Sequence, residues 1–124
     1  DGHSDGDVLI HSIIDAILGA LNKGDIGSHF PSSNNVYKNI SSLTLLNDVI
    51  EQYDFSIINI DSTVILQKPI IQPHITKMKD VIKKIFKNDD LSLSIKATTT
   101  DNLGFIGKQK GVAAITTCLL IKND

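Results

Sequence analysis

An α+β domain, a small mixed β-sheet backed by helices in two layers, is the fold class this sequence predicts. Three observations predict it: a β-branched, strand-like run at 55–66, an amphipathic helical stretch at 73–87, and the alternation of Leu91, Leu93, Ile95 and Ala97 with Ser92, Ser94, Lys96 and Thr98. Strand, helix and strand in that order form a crossover, which makes the two strands parallel. A last strand over 111–121 is free to return antiparallel.

Taken in order, the first helix is predicted to begin near Asp5, because Ser4 with Asp7 fits a capping box. Val8, Leu9, Ile13, Ile14, Ile17, Leu18 and Leu21 then form a wide apolar surface. Asp7, His11 and Asp15 follow at i, i+4 and i+8, so they line one polar stripe. Gly24 reads as the stop. Phe30-Pro31-Ser32-Ser33-Asn34-Asn35 is loop chemistry, and a second helix over 42–53 places Leu45, Leu46, Val49 and Ile50 on one side. Gln67-Lys68-Pro69 ends the first strand, and Pro73 suits the first turn of the third helix. That helix turns Ile75, Met78, Val81, Ile82, Ile85 and Phe86 inward, while Lys77, Lys79, Lys83, Lys84 and Lys87 read as its solvated face.

Composition narrows the class. A length of 124 residues suits one domain, 1–124, and no repeat or low-complexity segment interrupts it. Aromatic residues are only 5% with no Trp, so the core must be built from Ile, Leu, Val and Ala. A net charge of -2 offers no electrostatic footprint for non-specific nucleic-acid binding. Cys118 stands alone, which excludes an internal disulfide and fits a reducing compartment. No apolar run reaches membrane-spanning length, so no membrane partner is expected and the location is read as cytoplasmic. The sequence opens at Asp1, without a methionine and inside its most informative motif, so further residues are expected upstream.

Three polar turns carry the chemistry: His3-Ser4-Asp5-Gly6-Asp7 with His11, Asp25-Ile26-Gly27, and the run from Lys96 through Thr98-Thr99-Thr100-Asp101 to Gly104 and Gly107. In the last, consecutive hydroxyls and glycine-permitted backbone N–H groups at a strand end suit phosphate oxygens, and Asp101 suits a hard divalent cation. Each has a plainer reading. Asp7 and Asp15 serve equally as a cap and a solvated face, and a Thr-rich strand end is often only β-propensity. His11 is a borderline ligand suited to zinc, which needs three or four protein ligands. His29 and His74 have no spacing that pairs them with His11 and read as structural or surface residues.

Together these turns resemble one family, the 2-C-methyl-D-erythritol 2,4-cyclodiphosphate synthases of non-mevalonate isoprenoid biosynthesis. The resemblance rests on H-S-D-G-D-V-x-x-H, G-D-I-G-x-x-F-P, Q-x-P-x-x-x-P-H and K-A-T-T-T-x-x-L-G-F-x-G, in order, and runs from His3 to about Lys122. It implies a homotrimer with active sites between neighbouring subunits. The implied reaction turns 4-diphosphocytidyl-2-C-methyl-D-erythritol 2-phosphate into the cyclic diphosphate with release of CMP. By resemblance, His11 is a zinc ligand, and His3 and Ser4 contact substrate, His3 also acting on the transition state. Asp25, Ile26 and Gly27 hold the methylerythritol portion, and Phe30 and Pro31 begin a substrate loop. Leu66, Gln67, Lys68, Pro69, Ile70, Ile71 and Gln72 form the cytidine pocket. Thr98, Thr99, Thr100 and Asp101 grip the diphosphate, with Thr99 acting on the transition state and Asp101 on magnesium or manganese. Phe105 and Lys108 complete the contacts, and Asp15, one turn from His11, is expected to orient it.

The chain departs from that pattern at several positions. The family's other zinc ligands come from a separate D-x-H ahead of the H-S-D-G-D-V-x-x-H motif, which is not among these residues. Ser32, Ser33 and Asn34 stand where the family is usually acidic, and Asp101 stands where Glu is common. Lys108 replaces a common Arg, turning a forked grip into a point charge. Lys110 replaces a common Glu beside the trimer channel, where related proteins hold isoprenoid diphosphates. The alternatives are a non-catalytic trimer of this fold that binds a nucleotide or isoprenoid phosphate, a bifunctional protein with a preceding cytidylyltransferase domain, and a plastid-type location.

Overall fold

In chain order the elements are α1 (Gly2–Ala20), α2 (Ile26–His29), a 3-10 turn (Asn35–Tyr37), α3 (Ser42–Gln52), β1 (Phe55–Ile65), α4 (Gln72–Phe86), β2 (Leu93–Thr98), α5 (Gly104–Gly107) and β3 (Ala113–Lys122). The computed structural model describes residues 2–37, 40–67, 72–108 and 111–123, and the backbone alone at 2–5 and 72–73. Strand β1 is the centre of a three-stranded sheet ordered β2-β1-β3. It pairs with β2 in parallel, from Ile60↔Leu93 to Ile65↔Thr98, and with β3 antiparallel, from Phe55↔Lys122 to Ile65↔Ala113. Helix α4 is the crossover between the two parallel strands, so both the parallel pair and the antiparallel return follow the sequence pattern.

A bulge sets which side chains of β1 reach the core. Ile57 pairs with Leu120 and Asn59 with Leu119, leaving Ile58 as an extra residue. The alternation therefore shifts phase: Phe55 and Ile57 pack against the core before the bulge, and Ile60, Ser62 and Val64 are buried after it.

Helix α1 lies across that inner face. Leu9, Ile13, Ile14, Ile17 and Leu18 are fully buried, in one cluster with Leu46 and Val49 of α3, Ile60 and Val64 of β1 and Ile82 of α4. Each such side chain contributes roughly 1.5–3 kcal/mol on leaving water. The core is aliphatic, as the scarcity of aromatic residues requires. Among the described residues, no helix is long and apolar enough to cross a membrane.

Several details correct the sequence reading. Helix α1 is already helical at Gly2, so Ser4 lies inside it rather than at the non-helical position an N-cap needs. Its stop is Asn22, not Gly24. Asn22 takes φ 57°, while the Lys23 N–H donates to Leu18 O at 2.8 Å and the Asn22 N–H to Gly19 O at 3.1 Å. That pair of bonds closes a helix end with a left-handed residue, which Asn tolerates. Gly24, at φ 88°, forms a second turn leading into α2. Val81 is 36% exposed because it sits on the flank of the face made by Ile75, Met78, Ile82 and Ile85. Ile10, which the sequence pattern leaves out of the core, is buried. Strand β3 starts at Ala113 rather than at Gly111.

Candidate active site

The predicted site residues fall into two clusters, one helical and one at the sheet's edge. In the helical cluster, His11 Nε2 lies 3.6 Å from Asp7 Oδ2, one turn earlier on α1, with both side chains about half exposed. Asp15, expected to orient His11, instead accepts the Ile26 N–H at 2.8 Å. The reason is local: Ile26 opens α2, where a helix's first N–H groups have no partner of their own, and Asp15 supplies one.

Asp25 caps that short helix. Its Oδ1 accepts from the Ser28 N–H at 2.8 Å, and the Asp25 N–H donates to Ser28 Oγ at 3.3 Å. Gly24 is needed just before, since a Cβ there would sit 2.9 Å from Ser28 Oγ at a positive φ. His29 has a structural role, as its spacing suggests. Its Nε2 is 2.6 Å from the Tyr53 hydroxyl and its Nδ1 is 3.1 Å from Asp25 O, which ties α2 to the end of α3. Phe30 packs edge-on against Tyr37 with ring centres 5.3 Å apart, shaping the turn through Pro31, Ser32, Ser33 and Asn34.

The second cluster forms where the parallel strands β1 and β2 both end. Leu66 N–H donates to Thr98 O at 3.0 Å, and Asn102 N–H donates to Gln67 Oε1 at 3.1 Å. These two bonds hold the start of the Gln67 loop against the threonine loop. Thr99 Oγ1 accepts from the Asp101 N–H at 3.2 Å and lies 3.4 Å from Asp101 Oδ1. Thr100 Oγ1 donates to Leu103 O at 2.7 Å. Asp101 and Asn102 both have positive φ, 53° and 68°, and Gly104 has 67°. Asp and Asn tolerate this region better than other residues with a side chain. Gly107 is required for a different reason: a Cβ there would lie 2.1 Å from the Asn102 carbonyl carbon. The backbone of α5 thus packs directly on the loop. Thr98, Thr99, Asp101, Phe105 and Lys108 are exposed around it.

Several predicted residues are described only in part or not at all. Lys68, Pro69, Ile70, Ile71 and Lys110 lie outside the described residues, and at His3, Ser4 and Gln72 only the backbone is described. Among the described residues, no hydrogen bond or ion pair joins the helical cluster to the threonine cluster. Sequence reasoning missed the Gln67–Asn102 clasp. Its signal was the Asp-Asn-Leu-Gly run, which marks a turn with left-handed residues. A cleft of about 220 Å³ between Ile50, Phe55, Phe86 and Leu91 lies at the opposite end of β1 from the threonine loop and holds none of the predicted site residues.

The donor sets differ in what they can hold. Among the described residues, no three His, Cys, Asp or Glu side chains converge on a metal position; His11 and Asp7 supply two of the three or four donors that zinc takes. Asp101 fits a magnesium-type ion, which takes one or two carboxylates together with substrate phosphates.

Comparison with known proteins extends this picture. The YgbB family model matches residues 1–121. A Clostridium kluyveri protein named 2-C-methyl-D-erythritol 2,4-cyclodiphosphate synthase is 54% identical over 98% of this chain and 76% of its own length. A Clostridium botulinum protein of the same name is 53% identical over 96% of this chain and 79% of its own. Among solved structures, the bifunctional IspDF of Campylobacter jejuni matches with a TM-score of 0.89 and 40% identity, over 98% of this chain and 34% of that one. The chain therefore spans about a third of that bifunctional protein. IspF of Plasmodium falciparum, solved as a CDP complex, matches with a TM-score of 0.77 and 34% identity, over 98% of this chain and 75% of that one. A matched span from the motif-bearing first helix to the end of β3 leaves one conclusion: the chain belongs to the YgbB family.

Proposed function

We propose that this protein is a 2-C-methyl-D-erythritol 2,4-cyclodiphosphate synthase. It converts 4-diphosphocytidyl-2-C-methyl-D-erythritol 2-phosphate to the cyclic diphosphate and releases CMP. The observation that carries this reading is the identity to the Clostridium kluyveri synthase, which covers 98% of the chain and so includes both clusters.

The chemistry is an intramolecular phosphoryl transfer. An oxygen of the substrate's 2-phosphate forms a bond to the β-phosphorus, and the bond from that phosphorus to the oxygen of CMP breaks. The substrate supplies its own nucleophile, so the protein's task is to position the chain ends and spread the charge. In this reading the Asp25–Gly27 turn orients the methylerythritol hydroxyls, and Leu66 and Gln67 begin the cytidine pocket. Thr98, Thr99 and Thr100 hold the diphosphate oxygens. Lys108 adds positive charge as a point donor. Asp101 would hold a divalent ion, which would supply charge neutralisation to the phosphates.

The two clusters form a complete site when they come from neighbouring copies in a homotrimer. The bare face of the sheet supports this. Ile115, Leu119 and Ile121 on β3 are 61%, 59% and 55% exposed, a row of apolar side chains with no described helix over it. Incubating the purified chain with substrate and magnesium, with and without zinc, tests the activity. Release of CMP together with the cyclic product's phosphorus NMR signals is the expected result. Tight binding of CDP without CMP release under any metal condition is the result that favours a non-catalytic binding module.

A further inference from the structure

Among the described residues, the inner face of the sheet carries a chain of hydroxyls within a mainly aliphatic core. Ser12 Oγ on α1 is 2.6 Å from Thr116 Oγ1 on β3, which is 2.8 Å from Ser62 Oγ on β1. Ser12 Oγ also lies 2.7 Å from Leu9 O, one turn back in its own helix. Ser62 is fully buried, and the other two are half-buried.

The protons can satisfy all three bonds in one direction only. Leu9 O accepts and cannot donate, so Ser12 donates to it. The Ser12 oxygen is then free to accept from Thr116, and the Thr116 oxygen accepts from Ser62. One hydroxyl chain thus crosses from helix to β3 to β1, joining residues 104 and 54 positions apart.

We infer that this chain of hydroxyls sets the register and rotation of α1 on the sheet, making Ser12, Thr116 and Ser62 positioning residues for the Asp7–His11 stripe. The surrounding contacts, from Leu9, Ile13, Ile14, Ile17 and Leu18, are aliphatic and non-directional. They choose the face of α1 that packs on the sheet, and the breadth of that face leaves its fine rotation open. The hydroxyl chain is directional, and a misaligned partner leaves the Ser62 donor unpaired in a dry interior. His11 is the residue before Ser12, so its direction from the helix axis follows from the same rotation. The functional part of this inference rests on the synthase reading; the register part does not.

The test compares Thr116→Val, which keeps the shape and deletes the hydroxyl, with Thr116→Ser, which restores it. Two readouts are taken on the whole chain: amide hydrogen exchange along α1 without substrate, and kcat and KM from CMP release. In Thr116→Val, α1 exchange is expected to rise about tenfold, and kcat to fall about tenfold with KM changed less than about twofold. Thr116→Ser returns both toward the starting values. Should Thr116→Val not fold, Ser62→Ala combined with Thr116→Val, which leaves no stranded donor, is measured against Ser62→Ala combined with Thr116→Ser. Unchanged α1 exchange in the Val variant, or failure of Ser to restore it, overturns the register. Changed exchange with unchanged kcat overturns the positioning role. A starting chain that releases no CMP overturns the synthase reading and the positioning role with it, while exchange still decides the register.

Discussion

Asp15 and Ile26 are eleven residues apart in the chain, yet the Asp15 carboxylate accepts the Ile26 N–H at 2.8 Å. Through this bond α1, which carries His11, holds the first turn of α2, which carries Ile26 and Gly27 and is capped by Asp25. Asp15→Ala is expected to lower stability by about 1 kcal/mol and to raise the substrate KM several-fold. Asp15→Asn keeps an acceptor oxygen and should fall between. Steady-state kinetics and thermal melts check both. An alanine variant with unchanged KM would remove Asp15 from the positioning of α2.

Gly107 and Gly19 make a paired test of backbone packing. A Cβ at Gly107 meets the Asn102 backbone at 2.1 Å, whereas one at Gly19, within α1, meets nothing within 4 Å. Gly107→Ala should therefore destabilise the chain by at least about 1–3 kcal/mol and weaken CDP binding. Gly19→Ala should stabilise it by roughly 0.5–1 kcal/mol through helix propensity. Denaturant melts of the two variants give the signs directly.

Thr99 both faces solvent and holds the Asp101 N–H at 3.2 Å. Thr99→Ala is expected to cut kcat about tenfold or more with a smaller change in KM. A raised KM with unchanged kcat would place Thr99 in ground-state binding alone.

Burial raises the pKa of the Cys118 thiol on β3. The folded chain then keeps a proton that the unfolded chain releases. This contribution to stability is whole below the ordinary thiol range and is lost as pH rises toward the raised value. At mildly alkaline pH, iodoacetamide should modify Cys118 more slowly in the folded chain than in denaturant. Equal rates would contradict the burial.

The strands, the crossover and the core face of α1 were legible because periodicity reports burial directly. Leu9, Ile13, Ile14, Ile17 and Leu18 repeat at helical spacing, and all are buried. The phase of β1 was not legible, because nothing in Ile57-Ile58-Asn59 marks a bulge. Gly24 is the stronger stop signal because glycine has the lower cost at positive φ, yet the hydrogen bonds close two residues earlier, at Asn22. For the site, motif residues could be placed on turns, but their partners could not. The Asp15–Ile26 and Gln67–Asn102 bonds depend on how separate elements dock, which local pattern does not encode. Ser12, Ser62 and Thr116 carry no sequence signal at all, being small polar residues on faces that otherwise read as apolar.

As proposed, a working site takes its helical cluster from one copy and its threonine cluster from a neighbour. Co-expressing His11→Ala chains with Thr99→Ala chains, each inactive or nearly so alone, measures this most directly. With random mixing in a trimer, about a quarter of sites combine an intact half from each partner, and CMP release should recover to about that share of the unmodified rate. Mixed assemblies as inactive as either parent, from a chain that is active unmodified, would contradict it.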